Sequence, residues 1–437
     1  MTQPRLLRIP LLHHAAGHDL TEKGVTLLFK KLLDRILANA IRQGRFRVIW
    51  PDGSESLYGD GKTPAAGIKI TSAATVRRLV LNPGLAMGEG YMDESIIPLD
   101  GTIHDVLAVL LDNLARYPMP ILNWNEQISR LLRPISQANN ARRARRNVAH
   151  HYDLNGRLYS LFLDRDRQYS CAYFARGDET LEEAQAAKKR HIAAKLLLNR
   201  PGLTVLDIGC GWGGMALTLA RDFGARVTGI TLSEEQLAEA RARAAAAGLD
   251  ERVKFALMDY RDMNQTFDRI VSVGMFEHVG IPNFRSFFDT IGRCLKPDGV
   301  ALLHSIGRFA GPGATNRWIS KYIFPGGYSP ALSEALAPLE KSGLISTDIE
   351  ILRVHYAQTI AHWRSRFAAN RHTIAALYDE RFCRMFEFYL SGSELSFRLS
   401  DHMNFQIQIA HNHAAVPLTR DYILKKERQI ALPRAAE

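Results

Sequence analysis

Hydrophobic and polar positions follow two periods along the central part of the chain. Short apolar runs typical of buried strands alternate with amphipathic segments of helical period. The predicted strands span 204–208, 226–230, 253–258, 267–273 and 300–306, and the predicted helices span 213–223, 233–247 and 283–294. Such alternation is typical of an α/β fold with a mostly parallel sheet covered by helices, whose ligands bind at the carboxyl ends of the strands.

The pattern changes after this region. A long helical stretch is predicted from Ile360 to Leu390, and two further strand signals follow at Ser396–Leu399 and Phe405–Ile409. We expect the last strand to enter the sheet antiparallel to its neighbours.

The first 120 residues predict a separate, smaller α+β domain. A helix is predicted from Val25 to Ile41, short strands fall within residues 45–71, and a second amphipathic helix is predicted from Thr102 to Tyr117. A polar and basic linker spans 121–150, and the remaining residues, 151–437, form the predicted catalytic domain.

Charge is distributed unevenly over these regions. The chain has 437 residues, of which 46% are hydrophobic and 23% charged, with a net charge of +11. Residues 1–150 contain 20 Lys and Arg against 13 Asp and Glu. This surplus indicates a polyanionic partner, either nucleic acid or an anionic bilayer.

Two basic segments allow two interpretations each. The Val25–Ile41 helix carries Lys30, Lys31, Arg35 and Arg42 beside its apolar stripe, so it fits a membrane surface, although it equally fits packing of that stripe within its own domain. The run Arg142–Arg146 fits a solvated helix face or a phosphate-binding patch.

Neither the four cysteines nor the N-terminal segment changes the predicted class, a globular α/β protein. The cysteines show no metal-ligand spacing, so no metal is predicted. The N-terminal segment does not resemble a signal peptide, and no apolar run is long enough to span a bilayer. The sequence predicts a cytoplasmic enzyme.

The candidate chemistry starts at Thr204–Gly214, TVLDIGCGWGG, where a strand leads through glycines into a helix. Such a turn brings backbone N–H groups close to a ligand. Its glycine spacing also fits a dinucleotide fingerprint, which needs an acid at the end of the second strand. Thr231 stands there instead. Asp207 precedes Gly209 and Gly211 in the order that resembles motif I of S-adenosylmethionine-dependent methyltransferases.

The ends of the other predicted strands carry further polar residues. The second strand leads to Thr231 and Gln236. Ser233 and Gln236 also predict a helix-capping box at the start of the next helix. The third leads to Asp259 and Tyr260, which suit an adenine ring. Glu277 and His304 follow the fourth and fifth strands, so we expect them to converge near the reacting methyl group.

Several segments together resemble the cyclopropane-fatty-acyl-phospholipid synthases, relatives of the mycolic acid cyclopropane synthases. The resemblance covers residues from about 150 to 400. Its motifs are HYDL from His151, YSCAYF from Tyr169, VLDIGCGWGG, GITLSEEQ, MDYRD, FDRIVSVGMFEHVG, LLHSIG and WISKYIFPGG. The N-terminal domain resembles the one in the phospholipid-acting members, which favours unsaturated membrane phospholipids as the substrate.

The resemblance implies a class I methyltransferase fold, S-adenosylmethionine as cofactor and a bound bicarbonate ion as general base. The residues that match the bicarbonate site are Cys171, Glu277, His304, Ile306 and Tyr356. The residues assigned to the cofactor site are Tyr169, Ser170, Asp207, Gly209, Gly211, Thr231, Gln236, Asp259 and Tyr260. The resemblance also implies a homodimer and peripheral attachment to the inner face of the membrane.

Several alternatives stay open at this point. Cys171 resembles a nucleophile, but methyl transfer needs no covalent enzyme intermediate. The glycine-rich segment 309–330 fits a lid over an acyl channel or a plain surface excursion. The fourth strand lacks the Pro-Pro-aromatic signature of DNA amino-methyltransferases, so no nucleic acid partner is expected. A related lipid methyltransferase that makes methyl-branched or methylene chains, or a catalytically silent lipid-binding relative, stays an alternative to a cyclopropane synthase.

Overall fold

The computed structural model describes residues 22–118 and 156–431. The linker 121–150 with Arg142–Arg146, and the HYDL motif, lie outside the described residues, and the predicted domain boundaries near 120 and 150 stay predictions.

A four-stranded sheet lies near the N-terminus, with helices covering one of its faces. Its strands are β1 (Arg45–Ile49), β2 (Glu55–Gly59), β3 (Ala65–Ile70) and β4 (Ile96–Leu99), in the order β2-β1-β3-β4. The helices are α1 (Glu22–Ala40), α2 (Ala73–Leu81), α3 (Pro83–Met92) and α4 (Ile103–Arg116). Buried apolar residues of both layers form one core, as the predicted α+β pattern requires.

A seven-stranded sheet forms the centre of the larger part of the protein. Its strands are β5 (Thr204–Ile208), β6 (Arg226–Thr231), β7 (Val253–Leu257), β8 (Phe267–Val273), β9 (Leu295–Arg308), β10 (Ile345–Ile351) and β11 (His402–Ala410). The order is β10-β11-β9-β8-β5-β6-β7, and only β11 pairs antiparallel with its neighbours. The predicted sheet and its antiparallel last strand are therefore confirmed.

Helices cover both faces of this sheet. They are α5 (Gly156–Phe162), α6 (Leu181–Lys195), α7 (Gly214–Phe223), α8 (Glu234–Ala246), α9 (Phe284–Cys294), α10 (Arg317–Tyr322), α11 (Leu332–Lys341), α12 (His355–Ala369), α13 (Arg371–Leu377), α14 (Glu380–Leu399) and α15 (Asp421–Ala431). The helices predicted at 213–223, 233–247 and 283–294 correspond to α7, α8 and α9.

One prediction near the C-terminus was wrong. Residues 396–399 form the last turn of α14 and not a strand, because Leu395 and Leu399 pack against the N-terminal core and extend the helical period. The helical stretch predicted from Ile360 to Leu390 is helical in the structure, where it is divided into three helices by breaks at Asn370 and before Glu380.

No helix within the described ranges is both long and apolar enough to cross a lipid bilayer.

Candidate active site

One cavity opens at the carboxyl ends of β5, β6, β7 and β8. All nine residues assigned to the cofactor by sequence line it, namely Tyr169, Ser170, Asp207, Gly209, Gly211, Thr231, Gln236, Asp259 and Tyr260. This edge of a parallel sheet is where the fold class binds its ligands. The structure therefore brings the predicted cofactor residues together.

The glycine turn after β5 shapes the floor of the cavity. Gly209 has φ of 80°, and a Cβ atom there would lie 2.8 Å from the Met275 side chain, so only glycine fits. Asp207 is buried at the end of the strand, and its Oδ2 atom has no hydrogen-bond partner among the described residues. Burial raises the pKa of Asp207 to about 7, and a cationic group of a ligand would stabilise the carboxylate form.

The end of β6 offers neutral polar groups in place of the acid of a dinucleotide site. The Thr231 hydroxyl donates to Gln236 Oε1 at 3.0 Å, and the Ser233 N–H donates to Thr231 Oγ1 at 3.2 Å. Ser233 caps α8 as predicted, accepting from the Gln236 N–H at 3.2 Å. The Gln236 side chain, however, turns to Thr231 and does not close the predicted capping box.

The end of β7 places an ion pair and an aromatic ring beside the cavity. Arg261 donates to both carboxylate oxygens of Asp259, at 2.8 and 2.6 Å. The Tyr260 ring packs edge-on against Phe287 with centroids 5.5 Å apart. Both packing and pairing fix the positions of the residues predicted to contact an adenine ring.

Glu277 belongs to a second group of predicted residues, which do not line this cavity. It lies in a short 3₁₀ turn, Phe276–His278, and its Oε1 accepts the Ile306 backbone N–H at 2.6 Å. Its Oε2 is buried and has no hydrogen-bond partner within 22–118 and 156–431. Burial raises the pKa of Glu277 to about 7. The structure therefore brings Glu277 and Ile306 into contact, but the Ile306 N–H, which the resemblance assigned to bicarbonate, here holds the Glu277 carboxylate.

His304 is fully buried on β9, opposite Gln406 of β11. Gln406 Nε2 lies 3.1 Å from His304 Nδ1, and in this orientation the amide donates and the ring proton lies on Nε2. His304 Nε2 itself finds no partner in the described part of the chain. Burial, followed by the charges of Lys188 and Lys195, lowers the pKa of His304 well below its usual range, so the ring is neutral.

Cys171, Ile306 and Tyr356 pack in one aromatic-rich cluster. The N–H of Ala172, the residue after Cys171, donates to Thr359 Oγ1 at 3.0 Å. Thr359 lies one turn after Tyr356 on α12. The Cys171 thiol donates to the Ala172 carbonyl, and burial strongly raises its pKa. Because a nucleophilic cysteine must ionise, this environment does not suit one.

The segment 309–330 is anchored to the N-terminal region. Trp318 is fully buried, and a Cβ atom on Gly88 of α3 would lie 2.4 Å from its ring. Lys321 and Tyr322 donate to Glu89 at 2.7 and 2.9 Å. These contacts do not test the predicted lid function. Because Trp318 is buried, however, the segment is not a plain surface excursion at that position.

Sequence reasoning missed several residues that surround the two sites. His278 and Arg261 line the cavity, and both were adjacent in sequence to predicted residues, which was a usable signal. Lys188 contacts Ser170, and Gln406 contacts His304. No local pattern indicates these contacts, because they depend on how distant elements pack.

A seven-stranded sheet with antiparallel β11, a glycine turn after β5, and adenine- and ribose-compatible groups after β7 and β6 define a class I S-adenosylmethionine-dependent methyltransferase. The chain belongs to the mycolic acid cyclopropane synthetase family, whose family model matches residues 139–407. A second model, described as a domain of unknown function, matches residues 32–117.

Individual relatives agree with this membership. The chain is 38% identical over 350 residues to a cyclopropane-fatty-acyl-phospholipid synthase of Escherichia coli, covering 80% of this chain and 88% of the relative. It is 41% identical over 286 residues to a probable fatty acid methyltransferase of Pseudomonas putida, covering 63% and 72%. A crystal structure of the mycolic acid cyclopropane synthase CmaA1 with SAH and CTAB superposes with a TM-score of 0.58 at 34% identity, covering 61% of this chain and 97% of that one.

Proposed function

We propose that this enzyme is a cyclopropane-fatty-acyl-phospholipid synthase, which transfers a methylene group from S-adenosylmethionine to the cis double bond of an acyl chain in a membrane phospholipid. The observation that carries the proposal is a pair of buried atoms, Glu277 Oε2 and His304 Nε2, that have no hydrogen-bond partner among the described residues. Glu277 follows β8, and His304 lies on the neighbouring strand β9, where it pairs with Val273 at the end of β8. The similarity to the Escherichia coli synthase, which extends over 80% of this chain, supports the choice of substrate.

The chemistry explains why such a pair is needed. An alkene is a weak nucleophile, and its attack on a sulfonium methyl leaves a carbocation, which needs a dry pocket and a base within hydrogen-bond reach. The aromatic cluster that contains Cys171, Ile306 and Tyr356 excludes water.

A bicarbonate ion fits the unpartnered pair as the proposed base. His304 Nε2–H is a donor for an anionic oxygen, and Glu277 Oε2 is an acceptor for a hydroxyl proton. Bicarbonate bound there would supply a mild base beside the carbocation. The Ile306 N–H keeps the Glu277 carboxylate aimed at the site, and we further propose that Tyr356 and the backbone of Cys171 complete it.

Incubation with vesicles of monounsaturated phospholipid and S-adenosylmethionine tests the proposed reaction. We expect mass spectrometry of the lipid to show a gain of one CH₂ unit, together with formation of S-adenosylhomocysteine. Cofactor binding without any turnover on unsaturated lipid would favour a silent lipid-binding relative. Turnover on soluble acceptors without lipid would point to a different methyltransferase.

A basic, apolar surface on α1 supports docking on an anionic bilayer. Leu27, Leu28 and Leu32 are exposed by 51, 61 and 43%, and Lys31 and Arg35 are exposed on the same helix. The apolar stripe that the sequence predicts on this helix is divided between two environments. Leu33 is buried in the core, whereas Leu28 and Leu32 face solvent. Apolar side chains flanked by cations suit the membrane interface.

Vesicle sedimentation tests this surface. We expect binding to anionic vesicles to weaken as salt rises, because each cation near the surface contributes about 1 kcal/mol before screening. Replacing Leu28 and Leu32 together by Gln should weaken binding severalfold, whereas Leu57→Gln, at a leucine exposed by 67% on β2, should not. Binding that ignores salt, lipid charge and the α1 variants would contradict the docking proposal.

We further propose that the enzyme works in the cytoplasm, attached peripherally to the inner face of the membrane, and that it forms a homodimer. Nucleic acid is not among the proposed partners. Sedimentation of the purified protein over a concentration series measures the oligomeric state independently of the lipid experiments.

A further inference from the structure

Lys188 is a buried charged side chain that belongs to neither the predicted cofactor residues nor the predicted bicarbonate residues. It lies on α6 and has no solvent-exposed surface. Its ammonium donates to Gln168 Oε1 at 2.8 Å and to Ser170 Oγ at 2.7 Å. Because burying an ammonium is costly without a compensating gain, the contact with the cavity residue Ser170 needs an explanation.

The contact determines how the Ser170 hydroxyl is used. An ammonium group can only donate, so Ser170 Oγ accepts from Lys188 and its own proton is left for another acceptor. The Ser170 backbone carbonyl accepts from Gln185 Nε2 at 2.9 Å, so α6 holds this residue at two points. Ser170 lines the cofactor cavity, and its hydroxyl is thereby set up as a donor toward an anionic group there.

Acidic and basic groups surround Lys188 on every side. The titratable groups that act on it, or on which it acts, are Asp164, Asp166, Cys171, Lys189, Asp207 and His304. Asp207, two residues before Gly209, has an oxygen with no hydrogen-bond partner within the described ranges. The methionine part of S-adenosylmethionine carries one ammonium and one carboxylate, so Asp207 and the Lys188–Ser170 pair offer one complementary charge for each.

We propose that Lys188 is a positioning residue for the methionine end of the cofactor, because it orients the Ser170 hydroxyl as a donor and places a positive charge behind it. The inference depends on the cofactor of the methyltransferase class. It does not depend on the proposed lipid substrate, product or base. A failure of the Lys188 inference can therefore be distinguished from a failure of the proposed lipid reaction.

Calorimetric binding of S-adenosylhomocysteine to the full chain tests the proposal without turnover. We expect Lys188→Met and Ser170→Ala each to weaken binding by about tenfold or more, and the double variant to bind no more weakly than Lys188→Met alone, because the two residues act as a unit. Lys189→Met is the matched control on the same helix, since Lys189 pairs with Asp166 and not with Ser170. It should change affinity less than threefold.

The melting temperature and the pH profile separate positioning from simple structural support. Methionine fills a similar volume without the burial penalty, so Lys188→Met should melt no more than a few degrees below the wild type. Burial lowers the pKa of Lys188 to about 8, so wild-type affinity should fall as pH rises above that value. Lys188→Met should lack this loss of affinity at high pH, because it has no ammonium group to titrate. Titration of the ligand itself affects both proteins equally.

Wild-type affinity in Lys188→Met, additive losses in the double variant, or an equal loss in Lys189→Met would overturn the proposal. If Lys188→Met does not fold, the comparison of wild type with Ser170→Ala carries the same test. Loss of the high-pH decline in Ser170→Ala supports the proposal, and an unchanged decline contradicts it.

Discussion

Glu277→Gln is expected to lower turnover by about 10²- to 10⁴-fold, the usual contribution of general base catalysis, because the proposed bicarbonate base would lose the acceptor of its hydroxyl proton. The amide oxygen can still accept the Ile306 N–H that Glu277 Oε1 accepts at 2.6 Å, so the local backbone should be kept. What the variant loses is the acceptor at Oε2, which is buried and unpartnered among the described residues. Steady-state kinetics with phospholipid vesicles measures the effect.

Cofactor affinity provides the internal control for this variant. Glu277 does not line the cofactor cavity, so S-adenosylhomocysteine should bind within about threefold of the wild type. Glu251→Gln, at an exposed glutamate before β7, should leave both quantities unchanged. A turnover that is nearly unaffected in Glu277→Gln would remove Glu277 from the proposed chemistry.

The pH profile gives the same group a second signature. Since burial raises the pKa of Glu277 to about 7, its carboxylate is populated above that pH and lost below it. Wild-type turnover should therefore fall as pH decreases through about 7, and Glu277→Gln should lack this limb. Removal of dissolved carbonate should slow the wild type far more than the variant, if bicarbonate is the base.

Trp318→Ala is the second change with a large expected effect. Trp318 is fully buried between Gly88 of α3 and Phe388 of α14, its ring 4.7 Å from that of Phe388. Truncating such a tryptophan typically costs about 3–5 kcal/mol of the free energy of unfolding. Denaturant unfolding measures the cost, and limited proteolysis shows whether the segment 309–330 becomes accessible.

Loss of this anchor should also affect the reaction. Phe324, on the same segment, contacts both His278 of the cavity and Tyr389, with ring centroids 6.1 and 5.8 Å apart. We expect lipid turnover to fall more than cofactor affinity. Phe309→Ala, at an aromatic residue of the segment that is 60% exposed, is the control and should cost less than about 1 kcal/mol. Equal stability of the two variants would contradict the anchoring role.

The sequence predicted the central sheet well because each strand–helix unit carries its own period and its own turn. The Thr204–Gly214 motif could be assigned residue by residue, since its glycine turn depends on local backbone geometry such as the φ of 80° at Gly209. Ser396–Leu399 was mistaken for a strand because its apolar residues are too few to show a period. Its helical form depends on packing against the distant N-terminal core.

The same distinction applies to the active site. Glu277 follows the end of β8, and His304 of the neighbouring β9 pairs with Val273 there, so the topology of the sheet brings both residues to its carboxyl edge. The contact of Gln406 with His304 depends on the antiparallel register of β11 with β9. The contact of Lys188 with Ser170 depends on how α6 packs beneath the cavity. Neither arrangement has a local sequence signal, because both join elements far apart along the chain.

The identity of the lipid product is the sharpest test of the proposed cyclopropane synthase activity. After methyl transfer, the cation either loses a proton from the new methyl group and closes a ring, or undergoes a hydride shift followed by proton loss, which gives a methyl-branched or methylene chain. The two outcomes differ in where the base lies relative to the new methyl group, and the proposed function predicts ring closure. Proton NMR of lipid extracted after incubation with monounsaturated vesicles and S-adenosylmethionine distinguishes them. We predict ring-methylene signals upfield of all ordinary acyl protons, whereas a branched methyl or an exocyclic methylene signal in their place would contradict the cyclopropane synthase assignment.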